Sequence, residues 1–345
     1  MNAHRRQRIE TATALDLRNG AYLVAYASPQ ANANAASSLV SENSTATCVQ
    51  KTYASRAQKH VVVSEFACSN DGLFPAVFTL GQQSLDGAIP HASTASVSSG
   101  MPGVACSRTV ADVSETEGAQ KVVVGECHDD RPLGIPQTVH PGETKTIYLI
   151  STRCSTADYG VEDPKQTDDP VARAKSQYAV ARGNATKLWG WHTAAMAKLF
   201  LPGISIEGNP SLAAAVNASA SALLAAARGD VFYSTSPEGL IGGRYSGHTF
   251  WDTETWQLPF WQTFYPNISR AVLQYRSDRK AEAASNARMN YNLYGKNLSF
   301  DGLKFPWESA FVGVEQCEGN AEDHLQGSNV NAYVVLVLFR RLTTH

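Results

Sequence analysis

The stretch STADYGVEDPKQTDDP, Ser155 to Pro170, divides two kinds of sequence and so decides the fold. It is acidic and contains two prolines, a composition that suits a linker more than a strand or a helix. Upstream of it the chain is written in short β-branched and aromatic runs: AYLVAYA (21–27), KHVVVSEFACS (59–69), QKVVVGECH (120–128) and TKTIYLIST (144–152). Clusters of Gly, Pro, Ser and Asn separate them, as in SSGMPG (98–103) and HPGET (140–144). That pattern predicts strands, and their spacing favours a β-sandwich.

Downstream the period changes. Residues 169–200 are rich in Ala with Lys and Arg interspersed, and Pro170 suits the first turn of a helix. One long helix, broken at Gly183 or Gly190, is the simplest reading. NPSLAAAVNASASALLAAARGD (209–230) repeats the logic, with Asn209 or Ser211 as N-cap, Pro210 in the first turn and Gly229 to stop it. Its apolar stripe runs through Leu212, Ala215, Val216, Ala220, Leu223 and Ala227. A further helix is predicted from Pro266, with Ile268, Val272 and Tyr275 on one face. The fold class is therefore β plus α and multidomain, sheets first and helices second.

Composition narrows function. The chain has 345 residues, 43% of them hydrophobic, with 29 Lys and Arg against 31 Asp and Glu. A net charge of −2 provides no field for nucleic acid or for an anionic membrane surface. No run of about 18 apolar residues is present, and the basic opening MNAHRRQRIE is not followed by an apolar signal core. Six cysteines, at 48, 68, 106, 127, 154 and 317, make no C-x-x-C metal pattern, and isolated thiols are the expectation. Sequons at Asn43, Asn184, Asn217, Asn267 and Asn297 point to a secreted, lysosomal or vacuolar history. Asn217, inside an apolar helical pattern, is expected to be buried and unmodified. Oligomeric state is not legible.

Two polar aromatic segments lie between the predicted helices. GHTFWDTETW (247–256) sets two tryptophans, a phenylalanine, a histidine and two carboxylates within ten residues, and KFPWES (304–309) repeats the theme. A buried carboxylate is costly unless paired, so acids among rings face a ligand, a cation or solvent. Indoles stack on the apolar faces of sugar rings while carboxylates and a lysine bond the hydroxyls. The plainer alternative makes Trp251, Trp256 and Trp307 core residues, with Asp252 and Glu308 paired to Arg244 or Lys304. Recurrence of the theme in two loops favours a carbohydrate site.

GHTFWDTETWQLPFWQTFYPNISRAVLQYR (247–276), followed by GLKFPWES (302–309) and Cys317, resembles glycoside hydrolase family 65, which contains acid trehalases, a glucosidase acting on glucosylgalactosyl-hydroxylysine, and α-glucoside phosphorylases. The resemblance extends to ISIEGNPSLAAAVNAS (204–219), similar to the first helix of the family's catalytic barrel, and to a helical linker over 175–200. It implies an N-terminal β-sandwich over 1–155, a linker with a helix over 156–203, and the first part of an (α/α)6 barrel over 204–345. By the same resemblance Asp252 holds glucose hydroxyls, Trp251 forms an aromatic wall, and Lys304, Trp307 and Glu308 complete the subsite. These residues are expected to converge in one pocket. Trp256 is expected to pack beneath the loop and His248 to cap it; Glu254 and Arg244 are undecided.

The family chemistry is inversion, by a general acid and an attacking water or phosphate, with the acid and base of an inverting pair about 6.5–9.5 Å apart. It implies an α-glucoside or glycan substrate and no metal or organic cofactor. The family's general acid is a glutamate in an Asp-Glu-Tyr-His-like motif more than a hundred residues beyond the equivalent of Asp252. The chain ends at His345, 93 residues past Asp252, without that motif. The expectation is a truncated member with no catalytic acid of its own, either a hydrolase or a phosphorylase by lineage, or a non-catalytic carbohydrate-binding remnant.

Overall fold

The computed structural model describes residues 10–29, 45–80, 92–116, 120–130, 136–158, 169–239, 244–288, 291–293, 296–298, 301–317, 330–331 and 334. Asn43, most of the acidic linker and most of the C-terminal run SNVNAYVVLVLFRRLTTH (328–345) lie outside them.

The N-terminal part is sheet-rich, as expected. Its strands are β1 (Glu10–Asp16), β2 (Ala21–Pro29), β3 (Thr45–Ala54), β4 (Val61–Asn70), β5 (Ala76–Thr79), β6 (Ala92–Val97), β7 (Val104–Asp112), β8 (Lys121–Asp129), β9 (Pro136–Val139) and β10 (Thr144–Ser155). Eight of them form one sheet in the order β1-β2-β3-β4-β10-β8-β7-β6, and β5 pairs with β9 in a small second sheet. β1 through β4 pair in sequence, and β10 returns to lie antiparallel between β4 and β8.

Alternation along the strands sorts side chains to two faces. One face carries Cys48 and Cys68, which pack with Val139 of β9 and against Tyr26, Phe66 and Phe78. The other carries Tyr53, Val61, Val63, Cys127, Ile150 and Cys154, which meet Ala174, Tyr178, Ala181 and Leu188. Those four belong to α1 (Pro170–Gly183) and α2 (Ala185–Leu199). Asp169 caps α1 through its side chain, with Pro170 following. The break in the expected long helix falls at Asn184, beside Gly183.

Four of the six cysteines are paired, Cys48 with Cys68 and Cys106 with Cys127, which corrects the expectation of isolated thiols. Cys48 and Cys68 lie directly opposite each other on β3 and β4. Register between strands sets this proximity, and linear spacings of 20 and 21 residues do not reveal it.

The remaining helices are α3 (Pro210–Ala226), α4 (Leu258–Phe264), α5 (Pro266–Asp278) and α6 (Lys280–Arg288), with short strands β11 (Tyr291–Leu293) and β12 (Lys296–Leu298) after them. Asn209 caps α3, accepting from the Leu212 amide at 3.0 Å. Leu224 is its buried residue, whereas Leu212 is 49% exposed and Asn217 is exposed. The expected burial of Asn217 is thus overturned. In an Ala- and Ser-rich helix the small side chains on several faces are alike, and periodicity alone does not select the buried one. α5 begins at Pro266 and buries Ile268, Val272 and Tyr275, as its pattern predicts. Among the described residues no helix is long and apolar enough to cross a membrane.

Contacts divide the chain into two compact units. The first comprises Met1–Val110, Val123–Ser155 and Asp168–Phe200; the second comprises Ala111–Val122, Thr156–Thr167 and Leu201–His345.

Candidate functional site

Tyr245 and Ser246 have positive φ of 61° and 49°, and Gly247 follows at 75°. A left-handed run of this kind is uncommon outside glycine, and it turns the chain sharply into Thr249. Thr249 then forms an antiparallel bridge with Ser309, each amide donating to the other's carbonyl at 2.7 and 2.9 Å. The two aromatic segments, with residues 257–303 between them, are joined at this bridge.

Side chains on both sides of the bridge meet. His248 Nδ1 lies 2.7 Å from Glu308 Oε1, both partly exposed. The indoles of Trp251 and Trp307 are 6.4 Å apart and tilted by 39°. Both pack on a buried floor of Ala283, Phe305, Val330 and Val334. Asp252 follows Trp251 in the chain and is half-buried, and among the described residues its carboxylate accepts no hydrogen bond. Burial lowers the pKa of Lys304, an effect partly opposed by the Glu315 carboxylate.

Behind Asp252 the backbone makes a turn of π-helix, Thr253–Gln257, closed by the Leu258 amide on the Thr253 carbonyl. Such wide turns are rare and frequent at functional sites. The turn is held from two directions. Thr253 Oγ1 donates to Thr235 O at 2.9 Å and Gln257 Nε2 to Ser236 O at 2.9 Å. On the other side Glu254 forms a buried ion pair with Arg276 of α5, Nε to Oε1 at 2.8 Å, with both side chains no more than 2% exposed. Burial is the largest influence and disfavours the Arg276 charge, but the Glu254 carboxylate, Tyr275 and Glu315 together outweigh it and the pKa is raised. Arg276 also donates to Phe250 O at 3.3 Å. Removing one member of such a pair typically costs about 3–5 kcal/mol, because the other is left charged and dry.

The second loop is held equally closely. Tyr275 donates to Ala310 O and its hydroxyl lies 2.6 Å from Ser309 Oγ. The Arg279 guanidinium stacks 3.8 Å over the Tyr275 ring and bonds Phe311 O. Gly313, at φ 93°, leaves space that the Arg279 side chain fills; a Cβ there would stand 2.8 Å from Arg279 Cδ. Glu115, in the turn between β7 and β8, accepts from Val312 N at 2.7 Å and Gly313 N at 3.3 Å. Glu315 accepts from the amides of Trp307 at 2.8 Å, Glu308 at 3.0 Å and Cys317 at 3.2 Å.

Several expectations change. Glu308 pairs with His248, and Arg244 pairs with Glu238 at 2.9 Å. Trp256 does not pack beneath the loop: it is 68% exposed, its ring 6.3 Å from that of Trp251. The wide turn adds a residue per turn and carries Trp256 outward. Sequence reasoning left Glu254 undecided and did not single out Glu115, Arg276 or Glu315. Arg276 carried one signal, a lone cation ending the apolar face of α5.

Residues 222–332 match the family model of the glycosyl hydrolase family 65 central catalytic domain. The chain is 31% identical over 207 residues to a protein-glucosylgalactosylhydroxylysine glucosidase of Dictyostelium discoideum, an alignment covering 59% of this chain and 27% of that protein. It is 39% identical over 87 residues to a kojibiose phosphorylase of Caldanaerobacter subterraneus subsp. tengcongensis, covering 25% of this chain and 10% of the relative. The chain thus spans at most about a quarter of the length of these relatives. Its fold is similar to a solved structure described as a putative kojibiose phosphorylase from human microbiome, with a TM-score of 0.64 over 90% of this chain and 40% of that one, at 16% identity.

Proposed function

We propose, from the premise that residues 222–332 are sequence of the family 65 catalytic domain, that this chain binds the glucose unit of an α-glucoside and derives from an enzyme that cleaves that linkage with inversion. The observation that supports it best is the Thr249–Ser309 bridge, which joins the Trp251–Asp252 loop to the Lys304–Glu308 loop. In this reading Trp251 and Trp307 offer apolar faces to the sugar ring, and Asp252, Lys304 and Glu308 bond its hydroxyls. A carboxylate without a protein acceptor role among the described residues, as at Asp252, is available to hydroxyl donors.

The architecture belongs to the same proposal: an N-terminal sandwich over 1–155, a helical linker over 156–203 and part of an (α/α)6 barrel over 204–345. The substrate class is an α-linked glucose of the trehalose or glucosylgalactosyl-hydroxylysine type. General acid catalysis contributes typically about 10²–10⁴-fold to such a cleavage, so binding and turnover are separate readouts of the glucose site and of the acid. A phosphorylase lineage is the second reading, favoured by the 39% identity to a kojibiose phosphorylase. A purely binding role is the third.

Tryptophan fluorescence of the purified chain, titrated with glucose, trehalose and kojibiose, tests the binding. Saturable change is expected, and Asp252→Asn should weaken it by about 10–100-fold, the equivalent of a hydrogen bond to a charged group. No saturation with any glucoside sinks the reading. Glucose release measured with and without phosphate separates the lineages: release in water assigns the hydrolase, release that requires phosphate assigns the phosphorylase, and binding without release leaves the binding role.

A further inference from the structure

Glu315 does something that neither the aromatic motifs nor the glucoside reading requires. It sits in a loop whose regular pairing, among the described residues, is a pair of bridges, Thr249 with Ser309 and Ser309 with Glu315. Its carboxylate turns back on that loop: Oε2 accepts from the Trp307 amide at 2.8 Å, and Oε1 accepts from the Glu308 amide at 3.0 Å and the Cys317 amide at 3.2 Å. The Gln316 amide adds a return bond to Glu308 O at 3.0 Å. Trp307 and Glu308 are consecutive. Fixing the amides of two consecutive residues fixes the planes of both peptides, and with them the directions in which the two side chains leave the backbone.

We propose that Glu315 is a positioning residue, which aims the Trp307 indole and the Glu308 carboxylate at the glucose unit without touching it. The inference rests on the glucoside reading of those two residues. Its chemistry is specific to a carboxylate: three backbone donors converge on two acceptor oxygens. Glutamine supplies one acceptor oxygen and, in place of the other, an NH2 that faces an N–H. Aspartate keeps both oxygens but stands back by one methylene. The sterically mildest substitution is therefore the more damaging one, the reverse of a packing role.

The test uses the 345-residue chain with E315Q and E315D, and two readouts. Backbone amide hydrogen exchange, without sugar, reports Trp307, Glu308 and Cys317 individually, with amides of β4 and β10 as internal controls. Fluorescence titration with kojibiose reports binding. In E315Q, exchange at those three amides is expected to accelerate while β4 and β10 stay protected, and kojibiose binding to weaken ~10-fold or more, the range of a lost charge-assisted hydrogen bond. E315D should fall between E315Q and the parent in both. Unchanged protection in E315Q overturns the proposal, as does accelerated exchange with unchanged binding, which would leave Glu315 a purely structural residue. If E315Q does not fold, E315D decides by the same criteria. A parent chain that binds no glucoside fails the proposed function instead; Glu315 is then judged by exchange alone, and protection that does not change in E315Q overturns its role as the loop's clamp.

Discussion

At the scale of single residues, legibility followed whether a side chain's partner is near in sequence. Asn209 could be offered as a cap, beside Ser211, because a cap bonds an amide two or three positions on. Glu254 could not be assigned, because its partner Arg276 is 22 residues away and one helix further along. His192 is a similar case, and it makes a pH prediction. The imidazole is buried in the first unit, stacked on Tyr53 at 4.6 Å. Its Nδ1 accepts the Arg56 amide at 3.0 Å, so Nε2 carries the proton toward Asn19 O at 2.6 Å. Both nitrogens are used by the neutral ring. Burial lowers the pKa below the usual 6.5, assisted by the Arg56 charge and opposed by backbone bonds. The unfolded imidazole then binds a proton that the folded one refuses. This contribution is complete above pH ~6.5 and declines as pH falls toward the folded value, with a limiting slope of about 1.4 kcal/mol per pH unit for one proton. Urea unfolding of the parent and His192→Phe between pH 7.5 and 5 should show the parent losing more stability over that range; parallel curves would contradict it.

Secondary-structure elements were legible where local chemistry specifies them. Pro170, Pro210 and Pro266 each open a helix, as their restricted φ and missing donor dictate. β1, β3, β6 and β7 were missed, because their alternation is diluted by Ala, Ser and Thr and neighbouring strands in the sheet recruit them; the four-residue β5 and β9 were also missed, being too short to show a period. The wide turn at Thr253–Gln257 was missed as well, because nothing in the residue types marks an i+5 bond. Two glycines bring element packing to a measurable contrast. Gly125 of β8 lies under the start of α1, where a Cβ would stand 2.4 Å from Val171 N and 2.5 Å from Pro170 C. Gly190 of α2 has open space where its Cβ would be. Gly125→Ala should therefore destabilise by about 1–3 kcal/mol or more, by forcing α1 off the sheet, whereas Gly190→Ala should stabilise by roughly 0.5–1 kcal/mol. Thermal unfolding of the two variants decides it, and equal shifts would refute this account of how α1 is seated.

For the whole molecule, the change from strands to helices was plain in the sequence, but the pairing of its cysteines and the interleaving of its two units were not, since both depend on which strands become neighbours. The disulfides lie within the first unit, on β3, β4, β7 and β8. Reduction should destabilise that unit by about 2–4 kcal/mol per bond while leaving the Arg276–Glu254 and Glu315 clamps of the second unit intact. Exchange protection measured with and without reductant would check this: loss at β4 and β10 with retention at Trp307 and Glu308 is expected, and loss at both would show that the units are not energetically separable. The second unit also takes in residues 111–122, and Glu115 from that excursion receives the amides of Val312 and Gly313. This bears on heredity as much as on folding. A recombination event that moved only the stretch from Leu201 onward into another gene would deliver both tryptophan loops but strand two amides without their acceptor. To keep that acceptor the tip between β7 and β8 would have to travel with them, so the sequence that completes the loop is discontinuous along the gene.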